Sequence, residues 1–156
     1  MNELIDWVEK QALENFKSHI QDADNLIKQS STTLTILLAA LGTGTAYSVK
    51  VLDAHGDKSL LIAAIVFSIY ILLLCAVLVF KCLKIQAIPA PTNEPDHLYR
   101  KSLSLDHIRE EELKNLQQRI NQLVKRNDAT SRWLNRVRLL TVASPIVFAL
   151  IVLVAV

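Results

Sequence analysis

The chain has 156 residues, 51% of them hydrophobic and 21% charged, with a formal net charge of +2. The charge is segregated: residues 31–49, 59–80 and 139–156 contain none, so all 17 basic and 15 acidic residues fall in the remainder. A water-soluble fold interleaves charged and apolar residues at helical or strand periods, so such a fold is excluded, and what remains is too short for a sizeable independent catalytic domain.

Residues 2–28 predict an amphipathic helix. Ile5, Val8, Ala12, Phe16, Ala23 and Ile27 recur at three- and four-residue steps, and Leu4, Trp7, Leu13 and Ile20 widen the stripe. Residues 1–30 hold six acidic against three basic side chains, so the polar face is acidic. Helices that lie on anionic lipid carry a basic face. This one is expected to pack on protein, and residues 81–138, with twelve basic and seven acidic residues, offer a complementary surface. The acidic, amphipathic start also predicts no cleavable signal peptide.

A hydrocarbon core of about 30 Å takes roughly 20 helical residues. The uncharged stretches 31–49, 59–80 and 139–156 read as three transmembrane helices on that basis. The first carries five Thr and two Gly. Ala40, Gly44 and Ser48 form a small-residue row at four-residue spacing, beside a second row of Thr35, Ala39, Thr43 and Tyr47. Small residues allow helices to approach closely, and hydroxyls can bond a neighbouring helix or line a wet path. These positions are therefore the helix-packing or pore-lining candidates, whether within one protomer or between protomers. The second span, rich in Leu, Ile and Val, is expected to be the lipid-facing one. Cys75 and Cys82 fall on one face of it, which excludes a disulfide between them. Packing is their expected role, with lipidation or a redox link between subunits as the alternatives.

Three of the four prolines lie in residues 85–97 and predict a break. A new helix is expected from about residue 104, with Ser104 as its cap and Asp106 in its first turn. No glycine follows and Pro145 is the one later proline, so a single helix of roughly 50 Å or more is expected to run into the third span. Leu113, Leu116, Ile120 and Leu123 form a short heptad seam, continued by Asn127, Thr130 and Leu134. The seam packs either on the N-terminal helix of the same chain or on a second copy as an oligomer seam. Trp133 with Arg132, Arg136 and Arg138 predicts a girdle of membrane-interface anchors.

The basic residues concentrate in 81–138, which places that segment and the N-terminus in the cytoplasm and the C-terminus outside. The expected fold is an all-α integral membrane protein. Its parts are an amphipathic helix (1–30), a transmembrane hairpin (31–82), a Pro-containing linker (83–103), a cytoplasmic helix (104–138) and a third span (139–156).

No phosphate loop, nucleophile elbow or Cys/His metal spacing occurs among His19, His55, His97 and His107. Arg100 and His107, with six residues between them, resemble the Arg/His pair of the HEPN ribonucleases, a spacing that a basic residue before a helix-start histidine also produces. No catalysis, metal or cofactor is expected, and no nucleic acid as partner. Lys81, Lys84, Arg100 and Lys101 could receive a nucleotide signal, or form a solvated basic loop that obeys the positive-inside rule.

The layout, through residues 21–49 and 105–138, resembles small bacterial antiphage effectors, in particular the transmembrane effectors of Pycsar systems. Asp24 stands where that pattern has an aspartate. The resemblance implies a bacterial inner-membrane effector that oligomerises or rearranges on a cytoplasmic signal and compromises the membrane. The alternatives are a sensor or anchor subunit that docks a soluble cytoplasmic protein, and a holin.

Overall fold

The computed structural model describes residues 3–53, 58–84, 89–93 and 103–155. Helix α1 spans Glu3–Asp53, α2 spans Lys58–Leu78 and runs on into a π-helical turn, Val79–Leu83, and α3 spans Leu105–Ala155. No strand occurs among the described residues. All three helices are long and apolar enough to cross a membrane.

The amphipathic stretch and the first apolar stretch are one helix. Neither glycine nor proline occurs before Gly42, so nothing in the chain interrupts the hydrogen-bond ladder between them. The same logic gives α3 its length of 51 residues, well over twice what a span needs. Its start is capped as expected: the His107 amide donates to Ser104 Oγ at 3.3 Å, and Asp106 lies in the first turn.

The chain divides into two compact units, residues 1–25 with 85–129, and residues 26–84 with 130–156. In the first, α1 and α3 run parallel, since their contacts advance together along both: Asp6 and Glu9 with Arg109, Phe16 with Leu116, Ile120 and Leu123, and His19 with Asn127. Its core is Phe16 with those three α3 residues, flanked by Ala12, Leu13, Ile20 and Val124. The inner stripe is narrower than expected. Leu4 and Trp7 are 66% and 61% exposed, and Ile27 is also exposed, so these three do not belong to the packed face.

In the second unit α2 runs antiparallel to α3, with Cys82 against Thr130, Tyr70 against Leu140, and Phe67 against Phe148. Here the expectation of a lipid-facing second span is overturned. The most apolar stretch of α2 is 39% buried, against 6% for those of α1 and α3. Ala64, Ser68, Ile71, Cys75, Leu78 and Cys82, at alternating four- and three-residue steps, form its inner face. In a segment where nearly every side chain is apolar, hydropathy does not mark the inner face; here it combines large Ile71 and Leu78 with small Ala64, Ser68 and the cysteines, which let neighbouring helices come close. The core also holds Leu37, Leu134 and Val137.

Candidate functional site

The two rows on α1 have different fates. Ala40, Gly44 and Ser48 are half-buried toward α2, whereas Thr35, Ala39, Thr43 and Tyr47 are exposed. Gly44 marks the close approach: a Cβ added there would lie 2.9 Å from Ser68 Oγ, while one added at Gly42 would meet nothing within 4 Å. Ser68 was not foreseen as part of this contact, although it is the one hydroxyl on the inner stripe of α2. A shallow apolar groove beside the crossing is lined by Leu41, Thr45, Ser48, Ile65, Ser68 and Leu72, among others.

The hydroxyls of α1 are turned back on their own helix. Ser30, Thr32, Thr33, Thr35, Thr43 and Ser48 each donate to the carbonyl four residues earlier, and Thr45 to that three residues earlier, at 2.7–3.1 Å. Such bonds satisfy the donor without a partner helix. The buried members, Ser30 and Thr33, therefore need no polar neighbour for their protons.

In the first unit the heptad seam has a partner inside the chain. Leu116, Ile120 and Leu123 are buried against Phe16, and Leu113 is half-buried. Of the two readings of this seam, packing on the N-terminal helix is the one this arrangement fits. Asn127 continues the frame as a buried polar residue whose Nδ2 donates to the His19 carbonyl at 2.8 Å. At the start of the pair, Arg109 binds Glu9 bidentately, with Nε and one terminal nitrogen each 2.7 Å from a carboxylate oxygen, and also bonds Asp6. Hydrogen bonds to Glu9 and then Asp6 hold its guanidinium well above the ordinary arginine range. The charge complementarity expected of the acidic helix thus reduces, at this end, to one arginine.

Asn93, in the Pro-containing linker, was not singled out from the sequence. Its amide N–H and Nδ2 both donate to Glu112, its Oδ1 accepts from Arg119, and so it bridges two residues of α3 about two turns apart. Beside it, Pro91 and Thr92 with Glu9, Leu13, Glu112, Leu113 and Leu116 line a small groove.

Of the interface anchors, Trp133 is half-buried on the core of the second unit, Arg132 and Arg136 are exposed and Arg138 is half-buried. The Arg136 guanidinium lies 5.0 Å, and Lys81 Nζ 5.5 Å, from the Trp133 ring centre. Cys75 and Cys82 are both buried free thiols, and Cys82 Sγ donates to the Thr130 carbonyl at 3.8 Å.

Among the described residues no group of three or more His, Cys, Asp or Glu side chains is placed to hold a metal ion. His107 is exposed and stands 3.5 Å from Glu111. Arg100, Lys101, His55 and His97 lie outside the described residues, and with them the Arg100/His107 pair and half of the nucleotide-receiving candidates. Comparison with protein-family models, curated proteins and solved structures gives no match.

Proposed function

We propose that this chain is a non-enzymatic multi-pass protein of a bacterial inner membrane that acts as an effector of antiphage defence. On a cytoplasmic signal it associates with further copies of itself and perturbs or permeabilises the bilayer. The observation that carries the reading is the division of labour on α1. One small-residue row is spent on Ser68 and α2, while Thr35, Ala39, Thr43 and Tyr47 remain exposed beside a glycine with open space around it. A helix that met only lipid would gain nothing from such a face, whereas a second copy could pack on it closely. Three helices leave no room for a path through one protomer, so any conduction belongs to the assembly.

The test is induced expression together with the trigger, read as membrane depolarisation and entry of a membrane-impermeant dye. Loss of both signals on Thr43→Leu, with membrane levels unchanged, is expected. Cells that stay polarised and dye-free with the trigger present would sink the proposal.

A second reading, an anchor for a soluble partner, draws on Leu4, Trp7 and Leu105, which are 61–70% exposed on the unit outside the apolar stretches. A stoichiometric soluble protein co-purifying with wild type, and lost on Trp7→Ala, would favour it over the effector.

A further inference from the structure

We propose that Lys81, Trp133 and Arg136 form a binding site for the phosphate of an anionic phospholipid headgroup. The inference rests on the membrane reading above and names the lipid chemistry that the cytoplasmic foot of the second unit would select.

Two cations share one aromatic partner here. Lys81 Nζ and the Arg136 guanidinium, from the turn after α2 and from α3, lie 5.5 and 5.0 Å from one indole ring. The quadrupole of the ring attracts each cation, but it does not neutralise them. Among the described residues no carboxylate comes within 4.0 Å of either, although Arg109 in the other unit has two such partners. Two cations on one ring, with no carboxylate of the described residues within ion-pair distance, supply the positive potential that a phosphate group requires. The cations come from two elements that are fixed to one another, by Leu78, Leu134 and Val137 in the shared core and by the Cys82 bond to the Thr130 carbonyl.

The surroundings favour a lipid over a free phosphate. Phe80, next to Lys81, is 72% exposed, and Leu139, one helical turn beyond Arg136, is 71% exposed. Lys81 directly follows one uncharged stretch, and Arg136 lies just before the next, at residues 139–156. The cations thus stand at headgroup depth with bare apolar side chains on the membrane side, where acyl chains would lie.

The experiment uses the full chain in vesicles of phosphatidylcholine, with and without phosphatidylglycerol. It reads the lipid retained after detergent extraction by mass spectrometry. A Trp7→Phe variant supplies a second signal, since the chain has two tryptophans and Trp133 is then the remaining fluorophore. Wild type is expected to retain phosphatidylglycerol over phosphatidylcholine, with a shift of Trp133 emission. Lys81→Gln and Arg136→Gln should each cut that preference about fivefold, the effect of one interfacial cation. Lys10→Gln, an equal charge change in the other unit, should leave it intact, as should excess inorganic phosphate. Equal retention of the two lipids, or an equal loss from Lys10→Gln, would overturn the site. Displacement by inorganic phosphate would overturn the lipid assignment. A chain that fails to insert into phosphatidylcholine alone would overturn the membrane reading first, and the site with it.

Discussion

Gly42 and Gly44 are two residues apart on α1, yet their substitutions should behave in opposite ways. At Gly42 a methyl group meets nothing, so Gly42→Ala is expected to stabilise the protein by up to about 1 kcal/mol through helix propensity alone. At Gly44 the added carbon presses on Ser68 Oγ, which is itself tied to the Ala64 carbonyl at 2.9 Å. Gly44→Leu should therefore cost about 1–3 kcal/mol by overpacking, and Ser68→Ala should recover part of the smaller loss caused by Gly44→Ala. Thermal unfolding in detergent, followed by circular dichroism, checks both. Asn127 poses a different question, because its bond to the His19 carbonyl lies in a seam otherwise made of Leu, Ile and Phe. Asn127→Ala removes a second bond to a carbonyl that the α1 ladder already uses, and it leaves a gap in the seam, so it should destabilise the first unit by about 1 kcal/mol or somewhat more. Asn127→Leu restores the apolar volume but not the bond, so it should recover only part of the loss.

Among elements, the parallel pair of the first unit is tied at both its start and its linker. Arg109 joins α3 to two carboxylates of α1, and Arg109→Gln should speed amide exchange over Glu3–Lys10 without altering exchange at Leu116–Leu123. Because the tie is an ion pair at a partly exposed site, the difference between variant and wild type should shrink at high salt. Asn93→Ala removes two side-chain bonds to α3 and leaves the backbone N–H to hold Glu112 alone, so hydrogen exchange at residues 92 and 93 should rise while α3 stays protected. How far these elements could be read beforehand followed from the kind of signal each sends. The cap at Ser104 and the 113–123 stripe depend on local spacing, and both appear in the structure where the spacing put them. The inner face of α2 was hidden because hydropathy does not vary along it; its markers were Ser68, Cys75 and Cys82, small residues at heptad steps, with Ala64 one turn before them. Asn93 gave no local sign, since its partners lie 19 and 26 residues away and only tertiary folding brings them to it. Likewise, the acidic excess of α1 announced a basic partner but could not pick Arg109 from twelve basic residues in 81–138.

For the whole molecule, the central question is which side of a membrane each end occupies. By the positive-inside rule, the uneven spread of basic residues predicts that the N-terminus and residues 81–138 are cytoplasmic and residue 156 is outside. Reporter fusions at the two ends are expected to give opposite signals, active only outside for the C-terminal one; a cytoplasmic C-terminus would reverse this orientation and bring the holin alternative forward. The hydroxyls of α1 have a bearing on what such a molecule could do next. Seven of them spend their protons on their own helix, so Thr35 and Thr43 present methyl groups and a satisfied donor to whatever lies outside. Turning χ1 of a threonine breaks one weak bond and moves no backbone, and it happens on the fast timescale of side-chain rotamers. If the proposed assembly forms, the exposed row would show methyl groups to lipid in the lone chain and hydroxyls to water where copies enclose it, so on that proposal wetting would require neighbours but no refolding.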